Sequence, residues 1–454
     1  MSLKLRVVFQ YQRSRQIKLL PKEGRTMSDR IAIVDGIRTP FCKAGTDLKG
    51  FSAQKLGSLA IRELLDRSLI DGERVDEVIM GCVANPVEAA NVARVAALMA
   101  GLPERSRAYT VSRNCASGFE SVTSAYEKII SGFDDVVIAG GTESMTNIPL
   151  IYNEHMTRLF AGLMTSKTAL QKLKTILSFR PHFLKPIVGV VCGLSDPVCG
   201  LNMGQTAENI AKQCGITREQ QDEFALASHT KALANRDKLA DEIMAVPVEP
   251  KYESVCETDN GPREGQSLEA LAKLKPYFDR KSGTVTVGNA CPITDGASAL
   301  LMMKESKAGE LGLSPLGYIK SYAYEGLSPA VMGLGPVYAI STVLKKSGME
   351  LDQMSFVEIN EAFAAQVLGC VQLIESDQFA KEELGRTKAI GKLEHTRLNV
   401  NGGAIALGHP VGVTGNRLVL TALKELHRRR EHYALVSLCI GGGQGGAIIL
   451  ERAH

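Results

Sequence analysis

The strongest constraint on how this chain can fold is that one order of elements runs through it twice. From Met27 onward, short apolar runs alternate with stretches of helical periodicity: residues 31–34 read as a buried strand, 53–65 as a helix, 78–83 as a strand, and 136–139 as a strand ending in Gly140 and Gly141. The order returns after residue 315, with a strand at 318–323, a helix at 337–346, a strand at 356–359 and a last strand at 435–438 that runs into Cys439. Strand-length apolar runs separated by helices predict an α/β sheet covered on both faces. Repetition of that order predicts two like halves whose loops meet. The halves are expected at 27–141 with 271–312, and at 313–454. Residues 142–270 break the rhythm and read as an inserted loop domain. Residues 284–300 then read as a strand, a tight loop and a helix that rejoin the first half.

Composition excludes more than it assigns. No run of about 18 apolar residues occurs, so no membrane-spanning helix is expected. A net charge of +4 on 454 residues is too weak to imply nucleic-acid binding. None of the ten cysteines forms a CxxC pair, which argues against a zinc site or a disulfide framework and for a reduced compartment. Residues 1–26 carry seven Lys/Arg and one acid and read as a leader or a tag outside the fold. A cytoplasmic location is the expectation; a transit-type leader would make it mitochondrial.

Four stretches carry chemistry. In Ser112-Arg113-Asn114-Cys115-Ala116-Ser117-Gly118 a cysteine precedes the helical face written by Phe119, Val122, Tyr126, Ile129 and Ile130. Asn114 suits the N-cap, which makes Cys115 the first helical residue and predicts a thiolate favoured by the helix N-terminus. A buried structural cysteine is the competing reading of this stretch alone. Gly408-His409-Pro410-Val411-Gly412-Val413-Thr414-Gly415 sets a histidine among glycines, with Pro410 suited to the first position of a helix. Cys439-Ile440-Gly441-Gly442-Gly443-Gln444-Gly445-Gly446 follows a strand and frees backbone N–H groups for a phosphate or an oxyanion. No acidic residue lies about 20 residues further on, so it is not a dinucleotide fingerprint. Asn360-Glu361-Ala362-Phe363 closes another strand, where the amide fixes either a water or its own turn.

These four stretches, in this order, resemble the signature loops of the thiolases, and with Arg38-Thr39-Pro40-Phe41 the resemblance spans residues 29–452. It implies a duplicated thiolase fold, two βαβαβ-type halves in a five-layer αβαβα arrangement with an inserted loop domain. It implies ping-pong acyl transfer with coenzyme A and acyl-CoA as substrates, no permanently bound cofactor, no metal, and a homo-oligomer of at least two chains. By the same resemblance Cys115 is the nucleophile, His409 its base and Cys439 a second proton carrier. The N–H groups of Cys115 and Gly441 would hold one oxyanion, and His409 with a water on Asn360 the other. Phe278, Met332 and Phe363 match positions that line the pantetheine tunnel. Cys291 stands where the family usually has a serine that binds the same arm, and a thiol is the weaker donor.

Asn147-Ile148-Pro149, Met203-Gly204-Gln205-Thr206-Ala207-Glu208 and a basic insertion resemble the β-subunits of fatty-acid β-oxidation trifunctional enzymes, which implies a hydratase/dehydrogenase α-subunit as a partner. The basic stretch, 155–195, holds Arg158, Lys167, Lys172, Lys174, Arg180 and Lys185 and no acid. Leu159, Leu163, Leu170, Leu173 and Leu177 fall on one stripe at helical spacing, predicting an amphipathic helix broken near Gly162 and Thr165. Three surfaces fit that stripe: the enzyme's own core, an anionic membrane and the α-subunit. Alternatives to a degradative 3-ketoacyl-CoA thiolase are an acetoacetyl-CoA-forming thiolase and a non-catalytic acyl-CoA carrier.

Overall fold

A computed structural model describes residues 29–453, and the stretch read as a leader or tag lies outside the described residues. Nine strands form one continuous path: β1 Ile31–Arg38, β2 Glu77–Gly81, β3 Arg107–Val111, β4 Val136–Glu143, β5 Thr294–Lys304, β6 Gly317–Gly326, β7 Phe356–Ile359, β8 Tyr433–Ile440 and β9 Gln444–Arg452. Their spatial order is β7-β8-β9-β6-β1-β5-β4-β2-β3. Outward from the centre, β1-β5-β4-β2 on one side is answered by β6-β9-β8-β7 on the other. The two runs meet only where β1 and β6 pair, at Ala32–Tyr318 and Ile33–Gly317. Each run is mixed: β2 is parallel to β4 and β7 to β8, while β1–β5 and β8–β9 are antiparallel.

The helices that position the site are α1 Ala53–Ser68, α2 Val92–Met99, α3 Ser117–Ile130, α4 Glu154–Thr165, α5 Ala169–Leu177, α6 Met203–Cys214, α7 Arg218–Ala234, α8 Gly335–Ser347, α9 Ala364–Ile374 and α10 Thr414–Arg429. Helices α3 and α10 lie between the two runs, where Phe119, Val122 and Ile129 meet Leu418, Leu423 and Leu426 in one buried cluster. Leu56, Ile61 and Ala96 of α1 and α2 cover the outer face of the first run, and Val337, Val343 and Val367 of α8 and α9 that of the second. The layers are therefore helix, sheet, helix, sheet, helix. Burial of strands on both faces follows from sequence: in β5, Leu300 and Met302 join the central cluster while Ala299, Leu301 and Met303 join the outer one.

That two-sided burial overturns one expectation. Residues 294–304 form the long strand β5, not a helix. A continuous apolar run carries no alternation to mark it as a strand, and pairing with β1 and β4 decides the matter.

The segment between β4 and β5 is tied to the first run by buried charge. Arg38 is wholly buried, its Nε donating to Glu242 Oε1 at 2.7 Å and its Nη1 and Nη2 to Asp259 at 2.6 and 2.9 Å. Asp259 also accepts from the Phe41 N–H at 2.7 Å, and Glu242 from the Thr421 hydroxyl of α10 at 3.0 Å.

The leucine stripe of the basic stretch is broken, as the sequence suggests, and runs over two helices, α4 and α5. The break falls at Ser166–Thr168, where Thr168 and Gln171 close a capping box on α5, and Gly162 packs against Thr175. Helix α5 has no buried residue, and in α4 only Leu159 is buried. Leu170 and Leu177 are 77% and 69% exposed, so this stripe does not cover the chain's own core. Arg158 pairs with Glu154, an acid just outside the counted stretch. Among the described residues, no helix is long and apolar enough to cross a membrane.

Candidate active site

Cys115 sits two positions further from the helix than the sequence suggests. Helix α3 begins at Ser117 with Ala116 at the N-cap, and Asn114 adopts a left-handed φ of 45°. Asparagine tolerates that conformation, and here its side-chain amide donates to the Gly441 carbonyl at 2.7 Å instead of capping the helix. The turn is closed by Ser117, whose hydroxyl donates to the Asn114 carbonyl at 2.7 Å and accepts from the Arg113 N–H at 2.8 Å. Gly118 is required behind it, because a Cβ would come within 2.7 Å of the Asn416 nitrogen and 2.9 Å of the Val413 oxygen. That close approach seats the start of α3 against the loop that carries His409.

The stretch after Cys439 is a hairpin turn between β8 and β9, with Gly442 and Gly443 at φ of 92° and 83°. The Gly441 N–H is aimed at the Cys115 sulfur. Burial nevertheless raises the Cys115 thiol above its ordinary range, against the lowering by the backbone N–H groups of Gly441 and of Cys115 itself. The expected preformed thiolate is thus not what this site holds. A base is needed.

His409 supplies it. Pro410 does not open a helix as expected; it lies in the loop before α10, which starts at Thr414. His409 Nδ1 is 2.6 Å from the Thr414 hydroxyl, which donates to the Pro410 carbonyl at 3.1 Å. Thr414 thereby holds the Nδ1 edge of the ring and leaves the Nε2 edge to face away from it. Nε2 is buried and has no protein partner. Burial and then the Arg417 charge lower His409 to about 3, so the ring is neutral across the physiological range.

The remaining candidate groups lie on the loops and strand ends of the second run and on the segment before β5. Asn360 is buried with neither amide atom bonded to protein, and its N–H donates to the Ser437 carbonyl at 2.9 Å beside β8. Cys439 is fully buried, and burial holds its thiol well above the ordinary range, with Cys115 and Cys291 among the charges it feels. Cys291 donates its N–H to the Ala362 carbonyl at 3.0 Å and is pushed up to about 12 by burial, then by Cys115. Met332, Phe363 and Cys439 share one apolar cluster against which Phe278 packs, the two rings edge to face at 5.9 Å. Cys115, Cys291 and Cys439 are thus near enough to feel one another's charge, Phe278, Met332 and Phe363 wall the Cys439 side, Asn360 is tied to β8 two residues before Cys439, and His409 pairs with Ile293, two residues past Cys291.

Two contributors escaped the sequence reading. Thr414, noted only as part of a glycine-rich loop, orients the imidazole. The buried Glu143 carboxylate accepts from the N–H groups of Gly412 at 2.8 Å, Val83 at 3.1 Å and Ala84 at 2.9 Å, fastening the His409 loop to the end of β2. Its place after the Gly140-Gly141 pair was the only signal.

Thiols, a neutral imidazole and backbone N–H donors on a duplicated α/β fold are the kinds of group that acyl transfer through a cysteine calls for. Family models agree: "Thiolase, N-terminal domain" matches residues 31–306 and "Thiolase, C-terminal domain" residues 313–452. The chain belongs to the thiolase family. It is 42% identical to a 3-ketoacyl-CoA thiolase of Pectobacterium carotovorum, over 96% of this chain and 99% of that protein. Among solved structures, a Bacillus anthracis acetyl-CoA acetyltransferase superposes with a TM-score of 0.83 at 35% identity, covering 94% of this chain and 99% of that one. Human mitochondrial 3-ketoacyl-CoA thiolase in complex with CoA superposes at 0.81 and 34%, again covering 94% and 99%.

Proposed function

We propose that this chain is a 3-ketoacyl-CoA thiolase that shortens an acyl chain by two carbons in fatty-acid β-oxidation. The observation that carries the reading is the set of buried, unpartnered polar atoms, His409 Nε2 and both amide atoms of Asn360, in a thiolase fold that also keeps Cys115 and Cys439 as free thiols. His409 takes the Cys115 proton, and the thiolate attacks the 3-keto carbon. The tetrahedral oxyanion sits on the N–H groups of Cys115 and Gly441. Its collapse breaks the C2–C3 bond and leaves the acyl group on Cys115. The departing acetyl-CoA enolate, held by His409 and a water on Asn360, takes the Cys439 proton. Coenzyme A then gives its thiol proton to the Cys439 thiolate and attacks the acyl-Cys115 carbonyl; the Cys115 sulfur leaves, takes its proton back from His409, and the shortened acyl-CoA departs.

Release of acetyl-CoA that depends on both a 3-ketoacyl-CoA and coenzyme A tests this, with substrates from four to sixteen carbons resolving chain length. Activity confined to the four-carbon substrate would favour the acetoacetyl-CoA-forming alternative, and no activity at any length would leave a carrier.

The α4–α5 hairpin supports a docking role on an anionic lipid surface. Lys167, Lys172, Lys174 and Lys185 have no ion-pair partner among the described residues, beside exposed Met164, Leu170, Leu173 and Leu177. Cations at such a surface contribute up to about 1 kcal/mol each and leucines insert at the headgroup boundary. Replacing Lys167, Lys172 and Lys174 by Gln should weaken binding to phosphatidylserine vesicles by about tenfold or more at low salt. Binding indifferent to salt and to these changes would remove the lipid assignment, and capture of a hydratase/dehydrogenase subunit by the hairpin without vesicle binding would move it to that partner.

A further inference from the structure

We propose that Cys42, Asp47 and Cys256 form a binding site for one thiophilic divalent cation of the zinc class, at the seam between the first half and the segment inserted after β4. Cys42 lies on a two-residue strand, Cys42–Lys43, paired with the start of β5, and Cys256 on Val255–Cys256, paired with Val246–Pro247. The two sulfurs are 3.5 Å apart although 214 residues separate them. One Asp47 carboxylate oxygen and both sulfurs all lie within 4.8 Å of one another, and among the described residues no other trio of His, Cys, Asp or Glu does so. The sequence argument against a zinc site rested on the absence of CxxC spacing, which says nothing about a pair assembled by the fold.

The spacing suits a cation better than a disulfide. Tetrahedral zinc with Zn–S bonds of about 2.3 Å holds its two sulfurs about 3.8 Å apart, whereas a disulfide needs about 2.05 Å. Two sulfurs and a carboxylate are a zinc-class donor set, and water supplies a fourth ligand where the site opens. It opens at Asp47, which is exposed, while Cys42 is fully buried. Metal-binding groups are held by outer partners, and Asp47 has one: Asn260 Nδ2 donates to its Oδ2 at 2.7 Å while Asn260 Oδ1 accepts from the Lys43 N–H at 2.8 Å. The same seam carries the Arg38–Asp259 pair and the Phe41–Asp259 bond, so a bound cation would cross-link segments already fixed in place.

The test uses the full chain, stripped by a chelator under reductant and alkylated at Cys115, titrated with Co²⁺. One equivalent should bind with thiolate-to-cobalt absorption in the near ultraviolet and tetrahedral d–d bands in the visible, displaced by Zn²⁺. Cys256→Ser should lose the sulfur absorption. Asp47→Asn, a change at an exposed position that leaves the fold intact, should weaken cobalt binding by about tenfold or more. No absorption in the wild-type chain would overturn the proposal, as would bands unchanged in both variants, which would place the metal on the active-site thiols. An intact mass two hydrogens light before reduction, with the bridge mapped to Cys42 and Cys256, would replace the cation by a disulfide.

Discussion

Cys439→Ala should still take an acyl group from an acyl-CoA onto Cys115, while its turnover of a 3-ketoacyl-CoA falls by about 10²–10⁴-fold, the usual contribution of a positioned acid or base. Cys115→Ala should lose both. Thioester exchange at Cys115 needs only the nucleophile, the His409 base and the N–H donors, whereas breaking the C2–C3 bond needs a proton delivered to the leaving carbanion. Burial holds that proton on Cys439 at rest, as an acid requires. Intact-mass measurement of the acyl-enzyme and a spectrophotometric thiolysis assay separate the two steps. Near-normal thiolysis in Cys439→Ala would remove Cys439 from the chemistry and turn attention to Cys291, the third thiol of the site. The pH dependence carries the same division. With His409 lowered to about 3, its lone pair survives throughout the working range, so acylation should not collapse between pH 8 and 5 through protonation of this ring. With Cys115 raised by burial, its alkylation by iodoacetamide should still be climbing past the pH at which an exposed thiol levels off.

Residue types and spacing made the repeat and the four loops legible, because apolar runs and glycine clusters are local signals. Strand β7 falls at residues 356–359 as its apolar run predicts. What could not be read was everything decided across the chain. Strand β5 looked helical because both its faces are buried, and the membership of β5 beside β1 is a pairing between residues 260 or more apart. The ionisation of Cys115 was misjudged for a related reason: the N-cap rule places it at a helix start, but Asn114 spends its amide on Gly441, 327 residues away, and desolvation then outweighs the backbone donors. Thr414 is only five residues from His409, yet its contact with Nδ1 appears only once the loop is folded back on itself. The Glu143 clamp on Gly412 spans 269 residues and has no local signature at all. Local chemistry named the candidate groups, and long-range contacts set their surroundings.

Arg38→Met should cost about 3–5 kcal/mol of stability, read as a lowered urea midpoint, because it strands two carboxylates in the interior. Glu242 and Asp259 are both buried, and one Glu242 oxygen already has no partner. Without the guanidinium, Asp259 keeps only the Phe41 N–H, and Glu242 only the Thr421 hydroxyl. Methionine fills much of the arginine's volume, so the loss reports charge and hydrogen bonding more than a cavity. Arg38→Lys keeps the charge but cannot reach Asp259 through two parallel bonds and Glu242 through a third, so it should fall between wild type and Arg38→Met. The triple change Arg38→Met, Glu242→Gln, Asp259→Asn separates the causes. If stranded charge dominates, neutralising both acids should restore a large part of the midpoint; if the guanidinium's own contacts dominate, the triple variant should be no better than the single one. Because Glu242 also holds Thr421 in the helix that follows the His409 loop, Arg38→Met should lower kcat more than it raises KM in whatever fraction remains folded. A midpoint within 1 kcal/mol of wild type would mean that water reaches the triad and solvates the acids, and the buried ion pair would then have no part in fixing the inserted segment to the first half.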